Sequence, residues 1–214
     1  MKSTYISDSV ISRLPRYYSF LSELKKQGVL KISSRELAER MGFTASQIRQ
    51  DLNCFGDFGQ QGYGYNIELL KEEIAKVLKL NTPTPAILIG LDSLGRAVAQ
   101  QVNFEGLGFS LVGLFDNKES LVGQTIRNIP VRSMLMLDEF CRDWKPQTAI
   151  LCLTKEEALA VSEPLIRLGI KGFWNLGQFD LTLKNTEIPV QNVNLGDSLM
   201  ILSYRLSSQN KNNF

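Results

Sequence analysis

The 214-residue chain is 43% hydrophobic and 21% charged, an ordinary globular balance with room for one large domain or two modest ones. It has no histidine, which excludes histidine general bases, histidine-dependent triads and histidine metal ligands, and Cys54, Cys141 and Cys152 lack zinc-site or disulfide-framework spacing. Net charge is +2, with residues 1–80 holding 12 basic against 9 acidic side chains, a sign that suits a polyanionic partner.

In chain order, Val10, Leu14, Tyr17, Leu21 and Leu24 recur at three- and four-residue steps, predicting one helix with a buried face that ends at Gly28. Ser33-Ser34-Arg35-Glu36 predicts a capping box, and Thr44-Ala45-Ser46-Gln47 a second one eleven residues on. Leu37, Ala38 and Met41 lie between them, with Gly42 as terminator and Phe43 in the turn, so the pair reads as a helix-turn-helix. Its second helix buries Ile48, Leu52 and Phe55 and stops at Gly56. The opposite face presents Ser46, Arg49, Gln50 and Asn53 beside Gln47. Arginine pairs with guanine and Gln or Asn with adenine in a major groove, so this face carries base-reading chemistry; a solvated helix surface is the alternative. Ser33 and Ser34, at the start of the first helix, are further DNA-binding candidates. From Asp57 to Ile67, Gly59-Gln60-Gln61-Gly62 makes a glycine-bounded turn and Tyr63, Tyr65 and Ile67 alternate with Gly64 and Asn66. That is hairpin chemistry, a wing that places Gln60, Gln61, Gly62 and Tyr63 near a phosphate backbone, or else a ribbon covering the core.

Asn81-Thr82-Pro83-Thr84-Pro85 breaks the helical pattern and predicts a domain boundary. Domains are expected at 1–80, 81–195 and, as a terminal helix with its tail, 196–214. Beyond the prolines, apolar runs alternate with helical stretches as in a parallel α/β sheet. Strands are expected at Ala86 to Gly90, Ser110 to Asp116, Thr148 to Thr154, Lys171 to Leu176 and Pro189 to Leu195. Helices are expected at Leu94 to Asn103, Ser133 to Cys141 and Glu156 to Leu168. A last helix from Asp197 to Ser207 is apolar on more than one side and needs burial nearly all round, followed by a polar, disordered tail from Ser208.

Gly90-Leu91-Asp92-Ser93-Leu94-Gly95 follows a strand and opens a helix, as a dinucleotide-binding turn does. Gly90 and Gly95 fill the first and third glycine positions, while Asp92 replaces the second. Two like charges about 4 Å apart repel by roughly 4 kcal/mol at an effective dielectric near 20. A helix N-terminus returns about 0.3–1 kcal/mol to an anion. Asp92 is therefore expected to oppose a pyrophosphate and to cap the helix with its own carboxylate; a carboxylate turned away to solvent is the alternative. Asp116, at the end of the next strand, is placed to hold an adenosine ribose or to serve as a turn residue.

Ile11-Ser12-Arg13-Leu14-Pro15-Arg16-Tyr17-Tyr18, Gln47-Ile48-Arg49-Gln50-Asp51-Leu52, Phe55-Gly56-Asp57-Phe58-Gly59 with Gly62-Tyr63-Gly64-Tyr65, and Gly169-Ile170-Lys171-Gly172 together resemble the Rex family, in family order over nearly the whole chain. The resemblance implies an α/β protein with an N-terminal winged helix-turn-helix domain, a C-terminal Rossmann-like parallel-sheet domain and a C-terminal helix swapped between subunits of a homodimer. It also implies a non-enzymatic transcriptional repressor that binds double-stranded operator DNA and responds to the NADH/NAD+ ratio. The cofactor-binding candidates become Gly90, Leu91, Asp92, Ser93, Leu94, Gly95, Asp116 and Thr154. Gln50 and the Gln60-Gln61 pair stand where the family usually carries basic residues, so DNA binding is expected to be weaker or less dependent on salt. Ser19, Gln101 and Asn194 stand where family members carry an arginine, a tyrosine and an aspartate of a redox-responsive network, and Lys155 where a proline is common. These departures, with Asp92, lead to an expectation of weak or absent NAD(H) binding. No metal is expected. Apolar runs fall short of the roughly 20 residues that span a bilayer, and no signal-peptide pattern is present, so a cytoplasmic location is expected. The alternatives are an NAD-dependent oxidoreductase, a regulator sensing another ligand or none, and a dimeric scaffold that has lost both ligands.

Overall fold

The computed structural model describes residues 6–54, 59–60, 64–183 and 187–211. The chain folds into two compact units, Met1–Thr82 and Pro83–Phe214.

In the first unit the expected single helix is broken. α1 (Asp8–Ile11) ends at Ser12, and α2 (Leu14–Lys26) carries Pro15 in its first turn, where a missing N–H costs nothing. Val10, Leu14, Tyr17, Leu21 and Leu24 nevertheless share one buried cluster. β1 (Lys31–Ile32) precedes α3 (Ser34–Met41), which starts in the expected Ser33–Glu36 capping box and ends at Gly42, whose φ of 72° suits glycine. α4 (Ala45–Asn53) is capped by Thr44, which accepts from the Gln47 N–H at 3.1 Å, but the Gln47 side chain turns to Asp51 instead of completing the second expected box. The expected extension of this helix over Phe55 and Gly56 lies outside the described residues.

β2 (Gly59–Gln60) and β3 (Gly64–Asn66) pair antiparallel, Gly59 opposite Tyr65 and Gln60 opposite Gly64, while β1 adds to the other side of β3. That third strand explains the glycine: a Cβ on Gly64 would lie 2.7 Å from the Ile32 carbonyl oxygen, and φ there is 72°. The strand alternation expected to reach Ile67 stops earlier. Asn66 instead caps α5 (Ile67–Val77) by accepting from the Leu69 N–H, and α5 packs on α2 through Ile67, Leu70 and Ile74.

The second unit begins within the expected linker, because Thr84 and Pro85 already pair in β4 (Thr84–Ile89). α6 (Ser93–Gln101), β5 (Phe109–Asp116), β6 (Thr125–Ile126), β7 (Ile129–Ser133), α7 (Leu137–Trp144), β8 (Thr148–Leu151), α8 (Lys155–Arg167), β9 (Gly172–Asn175), β10 (Val190–Asn192) and α9 (Leu195–Lys211) follow. The strand order is β10-β9-β8-β4-β5-β7-β6, parallel throughout except for the edge strand β6. Chain order thus reverses between β4 and β8, and in open α/β sheets ligands bind beyond the strand ends at such a point.

The β6–β7 hairpin was absent from the sequence expectation. Its two turn residues, Arg127 and Asn128, both have positive φ, 51° and 63°, a primed turn without its usual glycine. Arg127 is held there by bonds from its guanidinium to the Val102 carbonyl and to Glu105. The helix expected from Ser133 begins later, after a 3-10 turn at Met134–Met136. α9 begins two residues before the expected start and continues helically to Lys211, through much of the segment expected to be disordered. Leu195, Leu199, Met200, Ile201, Leu202, Tyr204 and Leu206 along it are all exposed in the single chain, so the burial that such a helix needs is not supplied within it.

Candidate DNA-reading helix and dinucleotide cleft

The polar face of α4 is built from behind. Asp51, on the inner side of the helix, is 1% exposed and accepts four hydrogen bonds: from Arg13 Nε at 2.7 Å and Nη2 at 2.8 Å, from the Tyr17 hydroxyl at 2.7 Å, and from Gln47 Nε2 at 2.8 Å. Burial pushes its carboxyl up, but the bonds from Arg13, Tyr17 and Gln47 outweigh it and hold the pKa below the ordinary value. The Tyr17 hydroxyl is pushed up by burial and by the same carboxylate. Arg16 adds a second tie, donating to the Met41 carbonyl at 2.8 Å with its guanidinium 5.1 Å from the Phe43 ring centre. Two arginines near the start of α2 thereby fix both the α3–α4 turn and the candidate reading helix. The sequence carries Arg13, Arg16 and Asp51 within its family-like words but does not disclose this tie; its signal is an aspartate among the apolar positions Ile48 and Leu52.

Ser46, Arg49, Gln50 and Asn53 are exposed together on α4. Arg49 reaches back 3.2 Å to the Ser34 hydroxyl, which joins the first residue of α3 to this face. Gln47 is half-buried and committed to Asp51, and the Ser33 hydroxyl is committed to Glu36, so neither side chain stands with the exposed row. Gln60 lies in β2, with its side chain outside the described residues; Gln61, Gly62 and Tyr63 lie outside them altogether.

In the second unit, Gly90 leaves β4 with φ of 90°, and a Cβ there would lie 2.3 Å from the Cys152 carbonyl oxygen. A Cβ on Gly95 would lie 1.8 Å from the Gly90 carbonyl oxygen, so helix and turn meet only because residue 95 is glycine. Asp116, also buried, accepts from the Leu91 N–H at 2.6 Å through one carboxylate oxygen and from the Lys118 N–H at 2.8 Å through the other. It braces the turn and retains lone pairs for a ribose hydroxyl.

Asp92 does not cap α6. It occupies the N-cap position with no side-chain bond to the helix, and its carboxylate turns outward to pair with Lys118. The expectation of a self-capped turn is therefore corrected. Lys118 offers Asp92 a full positive charge, a stronger attraction than the partial charge of a helix end.

A cleft of about 660 Å³ opens above this turn, lined by Gly90, Asp92, Leu94, Asp116, Thr154 and residues of the β5, β8 and β9 ends. Of the other candidates, Leu91 is buried in the core, Gly95 serves packing and Ser93 is exposed outside the lining. Thr154 caps α8 in a capping box with Glu157. Sequence reasoning did not reach Lys118, nor Gly177 to Phe179 on the far wall, a loop held by buried Asn175 through the Phe179 carbonyl and the Gly177 N–H. Asn194, separately, accepts from the Gly196 N–H at the start of α9.

Comparison with known proteins places both units. A family model described as "Putative DNA-binding protein N-terminus" matches residues 5–53, and one described as "CoA binding domain" matches residues 81–178. Redox-sensing transcriptional repressor Rex of a Thermoanaerobacter species is 46% identical over 97% of this chain and 92% of the relative; that of Clostridium novyi is 44% identical over 98% and 99%. The chain belongs to the Rex family. These Rex relatives are named as transcriptional repressors and not as enzymes, which sets aside the oxidoreductase alternative. Among solved structures, RSP in complex with beta-NAD+ and operator DNA is 45% identical, covers 98% of this chain and 96% of its own, and superimposes with a TM-score of 0.87. RSP in complex with beta-NADH is 42% identical, with coverage of 97% on both sides and a TM-score of 0.88. Among the described residues no helix is long and apolar enough to cross a membrane, and no acidic, cysteine or histidine cluster could hold a metal ion.

Proposed function

We propose that this chain is a repressor that reads operator DNA with α4, loses its grip when NADH occupies the cleft above Gly90, and acts as a homodimer joined through α9. The observation that carries the reading is the exposed row Ser46, Arg49, Gln50 and Asn53 on a helix locked from behind by Asp51. The RSP complexes with beta-NAD+ and operator DNA and with beta-NADH support it. The glycines at 90 and 95 and the two-strand brace of Asp116 fit a dinucleotide, while the β-carbon and charge of Asp92 oppose one. NADH therefore binds, but more weakly than a glycine at position 92 would permit. The apolar, exposed α9 needs a partner surface, and a second copy of the chain supplies one.

A gel shift on a palindromic Rex-type operator should show sequence-selective binding that NADH reverses, and Arg49→Ala should cost about 1–3 kcal/mol of it. Binding with no sequence preference at moderate salt would overturn the proposal. For the cleft, calorimetry should give a weak NADH complex that tightens in Asp92→Gly; a submicromolar dissociation constant for the unaltered protein would show that Asp92 does not interfere.

A further inference from the structure

The pair of Asp92 and Lys118 sits where the turn departs from the glycine fingerprint. Both side chains are more than half exposed, and an ion pair of that kind adds little to stability. Its position is the informative part. Lys118 follows β5, and its own N–H is anchored on Asp116, the same carboxylate that holds the Leu91 N–H. One buried group thus fixes both the turn and the root of the lysine that crosses it. The ammonium reaches the N-cap residue of α6, a helix end that no side chain caps. Asp92, Asp116 and Glu157 all act on this ammonium and raise its pKa, so it stays charged throughout the physiological range.

We propose that Lys118 is the phosphate-binding cation of this cleft and that Asp92 is a built-in competitor for it. An incoming pyrophosphate takes the ammonium from Asp92, whose carboxylate moves out to solvent. Position 92 then sets how much ligand is needed, and Lys118 provides the attraction that makes binding possible despite Asp92. The proposal rests on the dinucleotide reading above and deepens it.

Calorimetric titration of the full chain with NADH tests it in the unaltered protein, Asp92→Asn, Lys118→Gln, the double variant, and Lys155→Gln, a second lysine that lines the cleft. Asp92→Asn should bind NADH about tenfold more tightly, and adding Lys118→Gln to it should reverse that gain by about tenfold or more. The loss of affinity with added salt should be steeper when Lys118 is present. Thermal unfolding confirms that each variant is folded, as expected for exposed side chains. If Asp92→Asn binds equally well with and without Lys118, or if only Lys155→Gln weakens binding, the proposal is wrong while the dinucleotide reading stands. If no variant binds NADH, both fall.

Discussion

Asp51 and the fingerprint glycines carry structural demands that are separable from ligand binding. Removing the Asp51 carboxylate leaves the buried Tyr17 hydroxyl unpaired and the half-buried Arg13 guanidinium without its partner, a loss of about 1–3 kcal/mol. Asp51→Ala should lower the denaturation midpoint accordingly and disorder α4, with loss of operator binding as the second readout. Because the folded-state pKa of Asp51 is depressed, its contribution is fully present above the ordinary carboxylate value near 4 and is lost as pH falls through the depressed one. Chemical denaturation from pH 6 downward should show this acid loss, and it should be missing in Asp51→Ala. Gly95→Ala places a methyl group on the Gly90 carbonyl oxygen and should cost about 1–3 kcal/mol, read as a lower thermal midpoint without any ligand present. Residue type and spacing made the glycines legible. They did not disclose Asp51, since its main partners lie 34 and 38 positions upstream, and they left the outward turn of Asp92 as one of two alternatives, because it depends on a lysine from another strand end.

Elements with a local signal were the readable ones. The Ser33 capping box and the Thr44 cap with Gly42 between them marked α3 and α4, and continuous apolar runs marked β4, β5 and β8. β6 and β7 escaped because Arg127-Asn128 is an unusual pair for a primed turn, and β1 because two residues carry no period. α5 had a helical period, Ile67, Leu70 and Ile74, but began directly where the hairpin alternation was still running. α9, with its exposed apolar residues, is the element whose meaning, in the proposed homodimer, lies outside the single chain. Leu199→Glu together with Leu202→Glu should convert a sedimenting dimer into a monomer while leaving the far-ultraviolet signal of the Pro83–Phe214 unit largely intact. On α4, Gln50→Lys adds a cation to the exposed row and, on the proposed reading, should steepen the salt dependence of operator binding by about 0.9 in log–log slope for each new phosphate contact.

The whole molecule joins a DNA-reading unit to a sheet whose strand order places a cleft at its switch point, the division of labour expected of a ligand-controlled repressor. Coupling between two binding events is reciprocal, so tighter NADH binding should appear as operator release at lower NADH. Asp92→Gly should move the midpoint of NADH-driven release downward by about tenfold in a gel-shift titration. Gly90 and Gly95 are locked by the backbone they touch, with or without a ligand. Asp92 has an unstrained φ of −62° and an exposed side chain, so that position is free to change. Glycine and aspartate codons differ by a single base. On the proposed reading the fold is thereby insulated from drift at the very site where drift adjusts the response: one nucleotide substitution would reset the concentration at which such a repressor answers, at little cost to the scaffold.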